Sequence, residues 1–204
     1  MLKRVALLAA VVGTMACLGA GQARAGDGKF VLEGGFHYDF LVENFARNYE
    51  PGPGADLFLG YRLTDWMRLG LLSRFAYHES KHESYGLDDG YRLAFNFHME
   101  FQYTMDIGFC VGGRLGLGLG YADLYYFGAY DNNYIYTRKN YELGISVLAG
   151  FQMGWMILDW LQINAFVDVD FLAKDLGDND YDTDDDPSFV EVMFPVGLNI
   201  TFLF

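Results

Sequence analysis

The 204 residues contain two cysteines, four prolines and five lysines, and each scarcity excludes something. Cys17 falls within the first 25 residues and Cys110 stands alone after them, so no internal disulfide can staple the domain that follows. Positive charge is thin: 14 Lys and Arg face 27 Asp and Glu, a net charge of -13. Nucleic acid is therefore excluded as a partner, since phosphate binding needs clustered Lys and Arg. Long apolar runs are missing too. After the first 25 residues, the longest uncharged stretch, LGISVLAGFQMGWMIL between Glu142 and Asp159, is interrupted by glycine, serine and glutamine, whereas a spanning helix needs about 20 consecutive, predominantly apolar residues.

What is present begins with a leader. MLKRVALLAAVVGTMACLGAGQARA has a basic start (Lys3, Arg4), an apolar run from Val5 to about Ala20, and a small-x-small end at Ala23, Arg24 and Ala25. This pattern predicts a cleaved signal peptide over residues 1–25. Thr14-Met15-Ala16-Cys17 lacks the leucine expected three positions before a lipoprotein cysteine. Removing the leader leaves residues 26–204, one domain, with 11 basic residues against 27 acidic ones, a net charge of -16.

The domain alternates apolar and polar residues with a period of two, the signature of strands with one apolar face. Eight segments show it: about 29–40, 56–64, 67–78, 91–104, 108–128, 133–155, 160–171 and 190–204. In the fourth, Tyr91, Leu93, Phe95, Phe97, Met99, Phe101 and Tyr103 oppose Arg92, Asn96, His98, Glu100 and Gln102. In the fifth, Leu115, Leu117 and Leu119 oppose Arg114, Gly116, Gly118 and Gly120. Glycine at every second place is not a phosphate cradle, because no helix pattern follows; small residues on a concave face make room for side chains from facing strands. The polar faces are rich in glycine, arginine and carboxylates rather than the lysine of a water-facing sheet.

Three connections are tight and carry an aspartate, at Asp65, Asp106 and Asp159; four are expected to be long, at 41–55, 79–90, 127–132 and 172–188. All three tryptophans, Trp66, Trp155 and Trp160, flank the tight turns, while Tyr77, Tyr91, Tyr121, Tyr125, Tyr126, Tyr134 and Tyr136 crowd the opposite ends. Two aromatic belts, an even strand count and alternating turns and loops predict an all-β, transmembrane, antiparallel up-and-down barrel of eight strands. Ten strands is the alternative, because the sixth segment is long.

On these features the chain resembles the small eight-stranded outer-membrane barrels, the group containing OmpX and the transmembrane domain of OmpA. The resemblance extends to the end, where Gly197, Ile200, Phe202 and Phe204 are similar to the signal read by the barrel-assembly machinery; Pro195 departs from that pattern. It implies a porin-like protein of the Gram-negative cell envelope, located in the outer membrane with loops extracellular and termini periplasmic. Its partners would be the bilayer, lipopolysaccharide and the assembly machinery, with the extracellular partner open.

Eight strands enclose a lumen that side chains can fill. Parity points Arg62, Arg68, Arg74, Arg92, Arg114 and Arg138 inward with Glu33, Asp39, Glu100, Glu142, Asp168 and Asp170, and counting from the turns brings His37, Arg74, Arg114 and Asp168 to similar depth, with Glu100 just below. This predicts a lumen plugged by paired charges in a structural or surface-interaction protein, without cofactor or enzymatic activity. A narrow ion or small-solute channel is the alternative. An enzyme is a third: His78 two residues before Ser80 resembles the motif of lipid A deacylases, yet parity turns His78 inward. Finally, Asp180, Asp182 and Asp184, with Ser188 and Glu191, fall at calcium-loop spacing. Asp185 stands where that loop needs glycine, so no metal site is assigned and the segment is read as a solvated acidic tip.

Overall fold

A computed structural model of the chain describes residues 30–42, 46, 49–81, 89–130, 134–174 and 190–204. The leader at 1–25 and the acidic tip with Asp180, Asp182 and Asp184 lie outside the described residues, as do the side chains of Tyr125, Tyr126, Tyr134, Tyr136, Arg138 and Glu142. Eight strands follow in order: β1 (Phe30–Leu41), β2 (Gly52–Thr64), β3 (Met67–His78), β4 (Gly90–Thr104), β5 (Phe109–Tyr130), β6 (Tyr134–Leu158), β7 (Leu161–Lys174) and β8 (Val190–Leu203). Each pairs antiparallel with its sequence neighbours, and β1 pairs with β8 from Val31↔Leu203 to Leu41↔Met193, closing the barrel. Closure leaves no sheet edge within the ring, which is what hydrocarbon demands of a spanning sheet. The count is eight, not ten.

The alternation read in the sequence becomes an inside-out protein. Outward residues form an apolar band, with Phe36 74%, Leu71 64%, Leu117 61% and Leu198 62% exposed, while nearly all buried polar side chains point into the lumen. At the turn end the band finishes in rings: Trp66 stacks on Phe101 at 5.9 Å, Trp160 on Phe202 at 6.3 Å, and Phe109 meets Trp155 edge-on at 4.8 Å. Amphipathic aromatics at this height suit a lipid–water interface. The turn after β4 needs glycine: Gly108 has φ of +80°, and its amide donates to the Met105 carbonyl at 2.8 Å.

Two expected boundaries are corrected. The connection between β5 and β6, read as a long loop at 127–132, spans only three residues, because the two strands pair all the way to Tyr130↔Tyr134. Their 22 and 25 residues exceed the roughly 10 that cross a membrane. This is also the origin of the long sixth segment. β2 begins at Gly52 rather than 56, because Gly-Pro-Gly-Ala shows no alternation yet pairs with Asp39 to Phe36 of β1.

Candidate lumen site

From the turn end upward, the lumen is a ladder of polar side chains contributed by every strand. Arg68 of β3 donates to Gln162 Oε1 of β7 at 2.7 Å, and Gln162 donates to Gln102 Oε1 of β4 at 3.0 Å and Asn164 Oδ1 at 2.5 Å. Asn164 donates to Asn199 Oδ1 of β8 at 2.8 Å. Asn199 and Thr201 in turn donate to the two oxygens of Glu33 on β1, at 2.6 and 2.8 Å.

Above this belt of amides lie the charges. Arg114 of β5 donates to Glu33 Oε1 at 3.5 Å and contacts Glu100 Oε1 and Asp168 Oδ2, each at 3.5 Å. Its guanidinium lies over the Phe166 ring at 4.6 Å, a stacking that suits a planar delocalised cation. Arg74 of β3 makes two bonds to Asp56 of β2, at 2.8 and 3.2 Å, and one to Asp168 at 2.6 Å. Arg92 of β4 holds Asp170 at 2.9 and 3.0 Å. His37 lies between two carboxylates, with Nε2 3.2 Å from Asp39 and Nδ1 3.4 Å from Asp56, and His98 meets Glu100 at 3.3 Å.

The structure thus places His37, Arg74, Glu100, Arg114 and Asp168 in one continuous chain of contacts. The link between His37 and Arg74 is Asp56, which the sequence reading left at a strand boundary and did not assign to the lumen. Gly54 and Gly197 are the cross-strand partners of His37: a Cβ on Gly54 would collide with its ring, and one on Gly197 with its Cα and Cβ. Gly197 therefore faces the lumen, apart from Ile200, Phe202 and Phe204. Ile200 faces the lipid side with 45% exposure, and Phe202 and Phe204 stack on that side at 6.3 Å. Arg62 stands half-buried at the turn end and, among the described residues, joins no ion pair.

Apolar groups bracket the charges. Leu41, Tyr49, Ala122, Leu172 and Met193 pack together at the loop end; Phe58, Leu72 and Leu148 fill the middle, with Val31 and Leu203 at the turn end. Some polar atoms in between, including both side-chain heteroatoms of Asn96 and of Gln152, have no hydrogen-bond partner among the described residues. At the loop rim, His78 is buried with Nδ1 3.4 Å from the Glu50 carbonyl and Nε2 3.9 Å from Asp39, while the Ser80 amide donates to Asp89 at 3.0 Å and the Tyr77 hydroxyl bonds the same carboxylate.

No protein-family model matches the sequence, and no curated protein matches it. Solved structures do. Over 88% of this chain and 100% of the other, the fold is similar to a major outer membrane protein from Thermus thermophilus, with a TM-score of 0.56 and 14% identity. Over 86% and 97%, it is similar to Neisserial surface protein A, with a TM-score of 0.52 and 12% identity. An apolar exterior, a polar lumen, closure at eight strands and these likenesses together give the chain the fold of the small eight-stranded outer-membrane β-barrels.

Proposed function

We propose that this protein is an outer-membrane β-barrel with a structural or surface-interaction role, its lumen closed by paired charges and not by a moving plug. The observation that carries this reading is the unbroken chain from His37 through Asp56, Arg74, Asp168 and Arg114 to Glu33 and Glu100, crossing from β1 to β7 and back. An arginine held by two or three carboxylates at once cannot move aside without stranding them, and an unpaired buried charge costs several kcal/mol. The apolar groups at the loop end add a second barrier.

The leader would direct the chain across the inner membrane, the outward Ile200, Phe202 and Phe204 would be offered to the assembly machinery, and the loops would meet lipopolysaccharide and a surface partner. No enzymatic step is assigned, since His78 is turned to Asp39 and the Glu50 carbonyl. A narrow channel is the second reading, favoured by the unpartnered amides of Asn96 and Gln152, which call for water inside.

Two measurements test this. Protease added to intact cells is expected to cut within the loop end and leave a membrane-protected barrel, and cleavage only after outer-membrane rupture would reverse the orientation. Vesicles carrying the protein are expected to retain small sugars at the rate of empty vesicles; swelling would favour the channel.

A further inference from the structure

The outward wall of β4 and β5 carries a sizeable apolar side chain at every second place except one. From Leu93 to Tyr103 on β4 and from Phe109 to Tyr121 on β5, each outward position is Leu, Met, Val, Phe or Tyr, and only Gly113 is bare. Neither crowding nor backbone conformation demands glycine there. A Cβ would meet nothing closer than the Gly150 carbonyl at 3.8 Å, and φ lies outside the left-handed region. The lumen-facing Gly112 and Gly118 of the same strand, by contrast, leave no room for a Cβ.

The gap interrupts a row of aromatics. Gly113 pairs with Phe101 on one side and Phe151 on the other, and Phe101 is fixed by stacking on Trp66 at 5.9 Å. The result is a notch of about 310 Å³, bounded chiefly by Trp66, Phe101, Tyr103, Val111 and Gly113. Its walls Tyr103 and Trp66 are exposed, so it opens away from the lumen and is continuous with the apolar band that the bilayer covers. In hydrocarbon an apolar surface gains nothing from leaving water, so contact decides what fills such a gap. Left empty, the notch forfeits the dispersion contacts of its lining, and a flexible acyl chain can follow its shape. Charge selects the headgroup. Asp65, next to Trp66, and Asp106, just past Tyr103, are exposed on the two turns at this end, and no outward residue of β3, β4 or β5 there is basic. These carboxylates attract a terminal ammonium and repel a purely anionic headgroup.

We propose that this notch binds one phospholipid of the periplasmic leaflet: an acyl chain lies over Gly113 between Tyr103 and the Trp66–Phe101 stack, and an ethanolamine-type ammonium is held by Asp65 or Asp106. The site rests on the outer-membrane reading with the turns in the periplasm.

The test uses the protein purified from outer membranes in mild detergent, as wild type, Gly113→Leu, Gly34→Leu and a double variant with Asp65→Asn and Asp106→Asn. Gly34 is the control, because it too is outward with nothing within 4 Å of a Cβ, but it lies on β1 between Leu57 and Ile200. Native mass spectrometry is expected to find one phosphatidylethanolamine retained on the wild type and on Gly34→Leu, and at least about tenfold less on Gly113→Leu, whose side chain fills the notch. A second measurement leaves the notch intact. With Trp155→Phe and Trp160→Phe making Trp66 the sole tryptophan, phosphatidylethanolamine brominated midway along one acyl chain should quench its fluorescence. Phosphatidylglycerol brominated alike should need a higher concentration, a difference that the double Asp variant removes. Retention unchanged in Gly113→Leu, or lost equally in Gly113→Leu and Gly34→Leu, overturns the site, as does an unquenched Trp66 or equal quenching by the two lipids. A dimer that Gly113→Leu dissociates would give the notch to a second copy of the chain and overturns the lipid. Recovery of the protein outside the outer membrane, or protease cutting of the turns on intact cells, refutes the orientation itself and is distinct from all of these.

Discussion

Replacing Arg114 by alanine removes a cation from three carboxylates at once, but the three are left in different states. Asp168 keeps Arg74 at 2.6 Å, and Glu100 keeps Arg68 at 3.5 Å and His98 at 3.3 Å. Glu33 keeps only the neutral donors Asn199 and Thr201, and it is the one carboxylate that accepts a hydrogen bond from Arg114. The carboxyl left with no cation in contact is therefore Glu33, although the sequence favours Glu100, on the neighbouring strand, and then Asp168 as the partner of Arg114. Breaking a buried pair costs about 3–5 kcal/mol, and the surviving partners of Asp168 and Glu100 place this case at the lower end. Adding Glu33→Gln, which can still accept from Asn199, is expected to restore about 2 kcal/mol, within the range of coupling energies for groups in contact. Adding Asp168→Asn should restore least, because that change takes from Arg74 its shortest carboxylate contact and leaves Glu33 without a cation in contact. The assay is urea unfolding in lipid vesicles followed by tryptophan fluorescence and by the mobility of folded and heated protein on gels. An additive Arg114→Ala/Glu33→Gln double mutant, beside strong recovery with Asp168→Asn, would refute the assignment.

Three further outcomes are expected from the same assay. Phe97→Arg, on the lipid face between Leu71 and Leu117, should cost about 2–4 kcal/mol if it lies near the midplane, whereas Asn96→Arg is limited by space in the lumen; equal costs would contradict the assigned faces. Gly54→Ala should destabilise by about 1–3 kcal/mol, because its Cβ meets the His37 ring and the Phe75 carbonyl, and wild-type stability would show that the ring has room to move. Phe166→Ala should cost about 3–5 kcal/mol from the cavity alone, with any cation–π loss at Arg114 and Arg74 added, and a loss under about 1 kcal/mol would mean that the ring does not pack the lumen.

The fold was legible in the sequence because a barrel wall exposes a strict period of two to two solvents, and Phe97 beside His98 or Leu117 beside Gly118 records it directly. Lumen membership was legible for the same reason: parity alone turns Arg74, Glu100, Arg114 and Asp168 inward. Partner choice was legible in part: Arg114 does meet Glu100 and Asp168 and Arg74 meets Asp168, but the contacts of Arg114 with Glu33 and of Arg74 with Asp56 depend on the stagger between strands, which one strand's pattern does not contain. Asp56 went unassigned because it borders Gly-Pro-Gly-Ala, where alternation lapses and pairing with β1 alone continues the strand. Phe166 went unnoticed, and Phe58, which parity does turn inward, was not given a packing role, because inward aromatics break the polar pattern. Glycines opposite them carried the missing signal: Gly197 pairs with Phe166, and Gly60 and Gly70 lie against the Phe58 ring. The length of the β5–β6 hairpin was misread because adjacent tyrosines such as Tyr125 and Tyr126 hide the alternation in the sequence.

The central claim is that fixed charge pairs close this lumen, and conductance in a planar bilayer at neutral pH tests it most directly. The wild-type barrel is expected to remain silent, and Arg74→Ala with Arg114→Ala, which removes both arginines from the chain between Asp56 and Glu33, is expected to produce ion-selective openings. Steady openings of the wild type, unchanged by removal of both arginines, would contradict the account.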